Sequence, residues 1–175
     1  ENLKQPYRLA SDHNNSLDVS DPTASTIRMI DPAGLATTVA GTAGVPGLAG
    51  GNRTVATFFL PSGLAVDSAN NLFVVDTYNH AIRRIDSVTG DVTVFAGNGS
   101  AGSADGTGAA ASFSQPYGLP IDSADNVSVA DTSIHTAPTI TTGRPGNTLH
   151  GPPAARTYDD VPRGPSTFAH RPEIA

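Results

Sequence analysis

Residues 60–76 read LPSGLAVDSANNLFVVD, and residues 115–131 read QPYGLPIDSADNVSVAD. The second stretch repeats the first at a displacement of 55. Phe58 maps to Phe113, Pro61 to Pro116, Gly63 to Gly118, Asp67 to Asp122 and Asp76-Thr77 to Asp131-Thr132, without a gap. The same displacement toward the N-terminus meets QPYRLASDHNNSLDVSD at 5–21. There Pro6, Leu9, Asp12, Asn15 and Asp21 fall on Pro61, Leu64, Asp67, Asn70 and Asp76, and Ile27–Asp31 falls on Ile82–Asp86. Self-similarity at a fixed period is the mark of a repeat architecture. The divisions it predicts are 1–59 for a divergent first repeat, 60–114 for the best-matching second, and 115–175 for a third with a degenerate, Pro-rich end.

The central repeat parses into strands by its alternation and its turns. Gly63–Val66 is a short apolar strand closed by the turn Asp67–Asn71, and Leu72–Val75 is an apolar run fit for burial on both faces. Ile82–Ile85 makes a third strand with Arg83 and Arg84 inside it. Asp91–Ala96 makes a fourth, with Val92, Val94 and Ala96 expected to point inward. Four strands joined by tight turns form an antiparallel meander, and a sheet of that kind every 40–50 residues or so is the pattern of a β-propeller blade.

The residues also carry a family resemblance. The core Asn79-His80-x-Ile82-Arg83-x-Ile85, the turn Ala96-Gly97-x-Gly99, the pair Asp105-Gly106, and then Phe113, Pro116, Gly118 and Asp122 resemble the NHL-repeat family. The match is specific over about 58–132. The first repeat has Thr23–Thr26 where the second has Tyr78–Ala81, so the Asn-His pair is missing there. The third keeps His135 but has Pro138 in place of an arginine, which predicts an edge or irregular strand. Seven of the 14 prolines lie between 138 and 175.

Composition agrees with an all-β array. Charged residues are 15% of the 175, below the usual quarter or so, while 18 Gly and 14 Pro supply turns. A net charge of −6 with no basic run argues against nucleic acid as a partner. No apolar stretch reaches the roughly 20 residues of a membrane helix. Without cysteine there are no disulfides and no thiolate sites. The chain starts at Glu1 with no apolar leader, which reads as a processed or excised segment.

Candidate sites are few. Asp12, Asp67 and Asp122 recur at one position, and Asp21, Asp76 and Asp131 at another. Such carboxylates either ring a calcium ion at the propeller axis or close turns by accepting backbone N–H bonds. The five histidines, His13, His80, His135, His150 and His170, lack zinc-ligand spacing. No nucleophile elbow and no phosphate loop is present, so no catalytic residue is nominated and no cofactor beyond calcium is considered. Arg28, Arg83 and Arg84 are expected to pair with the recurrent aspartates as surface ion pairs, or to face a ligand. Four sequons make Asn14, Asn52, Asn98 and Asn126 glycosylation candidates, each in a predicted loop or strand end.

Three blades are too few to close a ring, since closed propellers use about four to eight. The expectation is therefore a non-enzymatic scaffold, extracellular or at the cell surface, that self-assembles into a ring or filament and engages other copies of itself and glycans. A binding module cut from a larger protein is the alternative, and a metal-dependent propeller lyase or hydrolase a more distant one implied by the family resemblance.

Overall fold

The computed structural model describes residues 3–104 and 106–131, together with the backbone of 139–140 and 149–150. It is all-β, an open propeller-like stack of antiparallel sheets. The first blade is β1 (Leu9–Ser11), β2 (Leu17–Asp21), β3 (Thr26–Ile30) and β4 (Ala36–Ala40), paired in that order. Next comes β5 (Gly51–Asn52), followed by the second blade, β6 (Pro61–Val66), β7 (Leu72–Asp76), β8 (Ala81–Ile85) and β9 (Asp91–Ala96). β5 pairs with β9, so the link between blades adds a fifth strand to the second sheet, which the alternation pattern did not predict.

The third blade is more broken. β10 (Pro116–Gly118) pairs with β12 (Ala130–Asp131), and β11 (Val127–Ser128) pairs with β13 (Thr139–Ile140), which pairs in turn with β14 (Leu149–His150). β13 therefore has a neighbour on both sides; of the edge or irregular strand expected there, it is the second, a run of only two residues. Pro138 itself lies outside the described residues.

The core lies between the blades. Because side chains alternate across a strand, the apolar run of β7 divides in two. Leu72 and Val74 pack with Ile27, Ala40, Phe58 and Leu64 toward the first blade, whereas Phe73 and Val75 pack with Phe113, Leu119, Val127 and Val129 toward the third. Each fully buried side chain of this size contributes about 1.5–3 kcal/mol.

One inward prediction fails. Val92 and Ala96 are buried, but Val94 is 40% exposed. A bulge interrupts the β8–β9 pairing, with Ile82 opposite Ala96 and Arg83 opposite Val94. The extra residue, Phe95, shifts the strand's facing by one. Val92 therefore serves the first interface, while Phe95 and Ala96 both serve the second.

Gly97 follows the bulge at φ +98, and a Cβ there would stand 2.5 Å from the His80 carbonyl and 3.1 Å from the Phe113 ring. Gly41 repeats this in the first blade at φ +102, against Ser25 and Phe58. Both the left-handed backbone and the crowding demand glycine.

Candidate functional site

The NHL-like signature proves to be a set of staples. Asp21, Asp76 and Asp131, each at most 1% exposed, close the second strand of their blades. Each accepts a backbone N–H from the residue 17 positions earlier: Lys4 at 2.6 Å, Phe59 at 2.7 Å and Ser114 at 2.9 Å. The approach to every first strand is thereby tied to the end of the second. At Asp76 the Asn79 side chain also donates to the carboxylate at 2.8 Å and to the Gly47 carbonyl at 2.7 Å.

Arg83 completes this site. It forms a 3.0 Å ion pair with Asp76 in which both side chains are fully buried. It also donates to the carbonyls of Thr57 at 3.1 Å and Ala49 at 2.9 Å. The expected surface pair is thus a buried one at Arg83, whereas Arg84, 3.0 Å from Asp86, forms a partly exposed pair, and Arg28 is buried and donates from Nε to the Thr37 carbonyl at 3.1 Å. Burial pushes Asp76 up to about 6, against the lowering pull of Asn79, the Phe59 amide and Arg83.

His80 sits left-handed at φ 50 and accepts a hydrogen bond on Nδ1 from the Gln115 amide at 3.1 Å, joining the second blade to the third. Ile82 and Ile85 are core residues on opposite faces of β8. Gly106 is tight, since a Cβ would meet the Ala110 backbone at 2.7 Å, while Asp105 lies outside the described residues.

The calcium candidates are not brought together. Asp12 accepts the amides of Asn14 and Ser16. Asp67 accepts those of Ala69 and Asn71, and Asp122 those of Ala124 and Asn126. Each thus closes its own β1–β2-type turn, with Asn15, Asn70 or Asp125 left-handed inside it. Among the described residues no three His, Asp or Glu side chains are grouped to hold a metal ion. His13 is exposed; His135 and His170, and the side chain of His150, lie outside the described residues. Among the sequons, Asn14, Asn52 and Asn98 are exposed. Asn126 is half-buried and donates its amide nitrogen to Asp122 at 2.9 Å.

Sequence reasoning missed an aromatic cleft. The three first strands lie side by side, β1 against β6 and β6 against β10. At one end of this row a cleft of about 230 Å³ is lined by Tyr7, Ser62, Tyr78 and Tyr117 among others. Tyr7 and Tyr117 come from the first and third repeats, yet their rings meet edge to face at 5.8 Å. They reach across the second blade because Ser62 and Gly63 occupy the intervening positions; a Cβ on Gly63 would stand 2.8 Å from the Tyr117 carbonyl. The Arg8 guanidinium lies 4.9 Å from the Tyr7 ring centre and 5.8 Å from that of Tyr117. The three tyrosines are 38–47% exposed, so phenol faces and hydroxyls are open to a ligand. A signal was available, because Tyr7, Ser62 and Tyr117 share one repeat position.

No helix among the described residues is long and apolar enough to cross a membrane. Residues 60–85 match the NHL repeat family. The chain is 39% identical over 73 residues to the chloroplastic protein SUPPRESSOR OF QUENCHING 1 of Arabidopsis thaliana, covering 42% of this chain and 7% of that one. It is 35% identical over 96 residues to NHL repeat-containing protein 2 of Bos taurus, covering 53% of this chain and 13% of that one. A solved structure of a protein of unknown function from Bacteroides thetaiotaomicron superposes with a TM-score of 0.72 at 26% identity, over 83% of this chain and 35% of that one.

The expectation of a chain without enzymatic activity is corrected by two further structures. Virginiamycin B lyase from Staphylococcus aureus (TM-score 0.59, 15% identity, 86% of this chain and 41% of that one) has this fold. So does a gluconolactonase from Xanthomonas campestris (TM-score 0.59, 14% identity, 84% and 48%). Enzymes are built on these blades because catalytic groups are carried by a few positions grafted onto the scaffold, which repeat and blade count do not report.

Proposed function

We propose that this chain, of the NHL-repeat family and built as a propeller-type array, serves as an assembly scaffold whose first blade docks another propeller blade on its open flank. The observation that carries this reading is a pair of leucines at repeated positions. Leu64 and Leu72 are 9% and 5% exposed under the first blade, while their counterparts Leu9 and Leu17 are 62% and 39% exposed. A face that the second repeat buries against a preceding blade is presented by the first repeat to solvent, and exposed apolar surface of this kind marks an interface.

Supplied by a second copy, the docking blade builds a ring if the rotation closes and a filament if it does not. Light scattering after size exclusion should then find species above 17.8 kDa that grow with concentration, and Leu9→Glu with Leu17→Glu should return them to monomer. A monodisperse monomer at every concentration would sink self-assembly. Coverage of 7% and 13% of the curated relatives favours a second reading, in which a longer polypeptide supplies the blade as part of a larger binding module. Protection of Leu9 and Leu17 in such a polypeptide, and not in the 175-residue chain, would decide for it.

The tyrosine cleft is the binding face of this scaffold. Sugar rings would stack on the exposed phenol faces while their hydroxyls bond Gln5 and Ser62 of the lining, so a glycan is the partner it fits. With no tryptophan in the chain and three of its four tyrosines in the cleft, intrinsic fluorescence responds to a ligand bound there. Quenching by oligosaccharides, lost in Tyr117→Ala, is the expected result; no response across a glycan panel would reject it. An extracellular setting with glycans on Asn14, Asn52 and Asn98 belongs to the same reading, and is checked by mass spectrometry of native material.

A further inference from the structure

A second cleft, of about 290 Å³, opens between the first and second blades. That is near the lower end of the range for small-molecule sites, enough for one small ligand. Its polar lining includes Asp12, Asp18, Arg53, Asn70, Asp86 and Ser87. Two of the three carboxylates are satisfied within the chain. Asp12 accepts the Asn14 and Ser16 amides, and Asp86 accepts those of Val88 and Thr89 besides pairing with Arg84.

Asp18 differs. It is only 6% exposed, it lines the cleft, and its carboxylate has no hydrogen bond or ion pair among the described residues. Burial, and then the neighbouring Asp12 charge, push it up to about 6. The one guanidinium of the lining does not reach it: Arg53 lies flat against Gly90, where an added Cβ would collide with its head group.

A largely buried carboxylate that opens only onto a narrow cleft and has no protein partner among the described residues is poorly solvated there, which makes the cleft a place for a counter-ion. Three features define the counter-ion. The lining carries three carboxylates against one guanidinium, which disfavours an anion. The lining offers one unengaged carboxylate rather than the several converging oxygens that a metal ion takes, which favours an organic cation. A neutral hydroxyl would leave the charge uncompensated, whereas an ammonium neutralises it and donates three hydrogen bonds.

We propose that this inter-blade cleft binds a small organic amine in its protonated form, with Asp18 as the counter-ion and Asn70 and Ser87 as its polar neighbours. The site is independent of the docking flank and of the tyrosine cleft. Phe73 occupies the position of Asp18 in the next repeat, so the carboxylate stands where the fold itself accepts an apolar ring.

The test uses two isosteric probes, 1,4-diaminobutane and 1,4-butanediol, titrated into the 175-residue chain while amide chemical shifts are followed. The diamine should shift the amides of Asp18, Asn70 and Ser87 saturably, and the diol should not. Asp18→Asn should weaken the diamine by at least about tenfold, as expected when one partner of a desolvated charge pair is neutralised. Asp18→Phe, which restores the residue of the second repeat, should fold and lose binding altogether. Diamine affinity should also rise from about pH 5 to pH 7 as Asp18 ionises, with Asp12, Asp86 and Arg53 the other charges facing the cleft. Equal shifts with the diol, undiminished affinity in Asp18→Asn, or no saturable response to the diamine would each overturn the proposal.

Discussion

The two blade-to-blade interfaces are made from the same repeat and do opposite things. Between the second and third blades, Phe73 and Phe95 meet edge to face at 4.8 Å, and the interface is apolar. Between the first and second, Asp18 stands at the repeat position of Phe73, and Val39 at the strand position of Phe95. Two aromatic rings have become a carboxylate and an isopropyl group, and the volume they no longer fill is the polar cleft. The first interface has a different anchor. Arg83 reaches from the second blade to the carbonyls of Ala49 and Thr57 in the segment leading out of the first. Backbone repetition therefore fixes how blades stack, while one or two side chains decide whether the joint is packed or left able to bind.

Breaking that anchor should have the largest effect. Arg83→Ala leaves Asp76 buried without its cation and frees two carbonyls, and a loss of about 4 kcal/mol is expected in urea unfolding. An unchanged midpoint would show that the first interface does not depend on the arginine. Phe73→Ala empties the second interface and should cost about 3 kcal/mol. The corresponding change in the first interface, Asp18→Ala, should cost far less or stabilise, since it removes a charge and no ring.

His80→Ala removes the Nδ1 acceptor of the Gln115 amide, and a loss of about 1 kcal/mol is expected. Hydrogen exchange should locate it at the joint between second and third blades rather than across the whole array.

Stability also depends on pH. Asp18 and Asp76 are both raised from 3.8 to about 6, so between those values the folded state holds protons that the unfolded state has released. Their contribution to stability therefore falls as pH rises from about 4 to 6 and is level above that. Asp18→Asn should flatten part of this slope and raise stability at pH 7 by about 1 kcal/mol. A melting temperature that rises steadily over the same window in both proteins would contradict the account.

Much of the blade was legible in the residues. Asp67 followed by Ser-Ala-Asn-Asn announces its turn, and Leu72–Val75 announces a strand buried on both faces, because turn closure and alternation are local properties. The bulge at Phe95 was not legible. It depends on pairing with β8, and without that partner Val94 reads as one more inward residue. β5 was missed for a related reason: Gly51–Asn52 has no strand character of its own and is extended only because the edge of β9 accepts it.

The candidate sites divide in the same way. Asp12, Asp67 and Asp122 are turn residues by their immediate neighbours, and the structure adds only their hydrogen bonds. Tyr7 and Tyr117 lie 110 residues apart, and Asp18 lies 35 residues before Arg53; nothing local relates either pair.

The period of 55 is visible by comparing distant stretches of the chain, and the all-β blade and the residues that close its turns follow from spacing over a few neighbours. Blade stacking sets the rest: Leu9 and Leu17 face solvent while Leu64 and Leu72 do not, three tyrosines share a cleft, and Asp18 lines an inter-blade cleft with no protein partner among the described residues. Those outcomes depend on which blade lies against which face. Stacking, unlike pairing within a hairpin, joins residues whose distance along the chain carries no local signal.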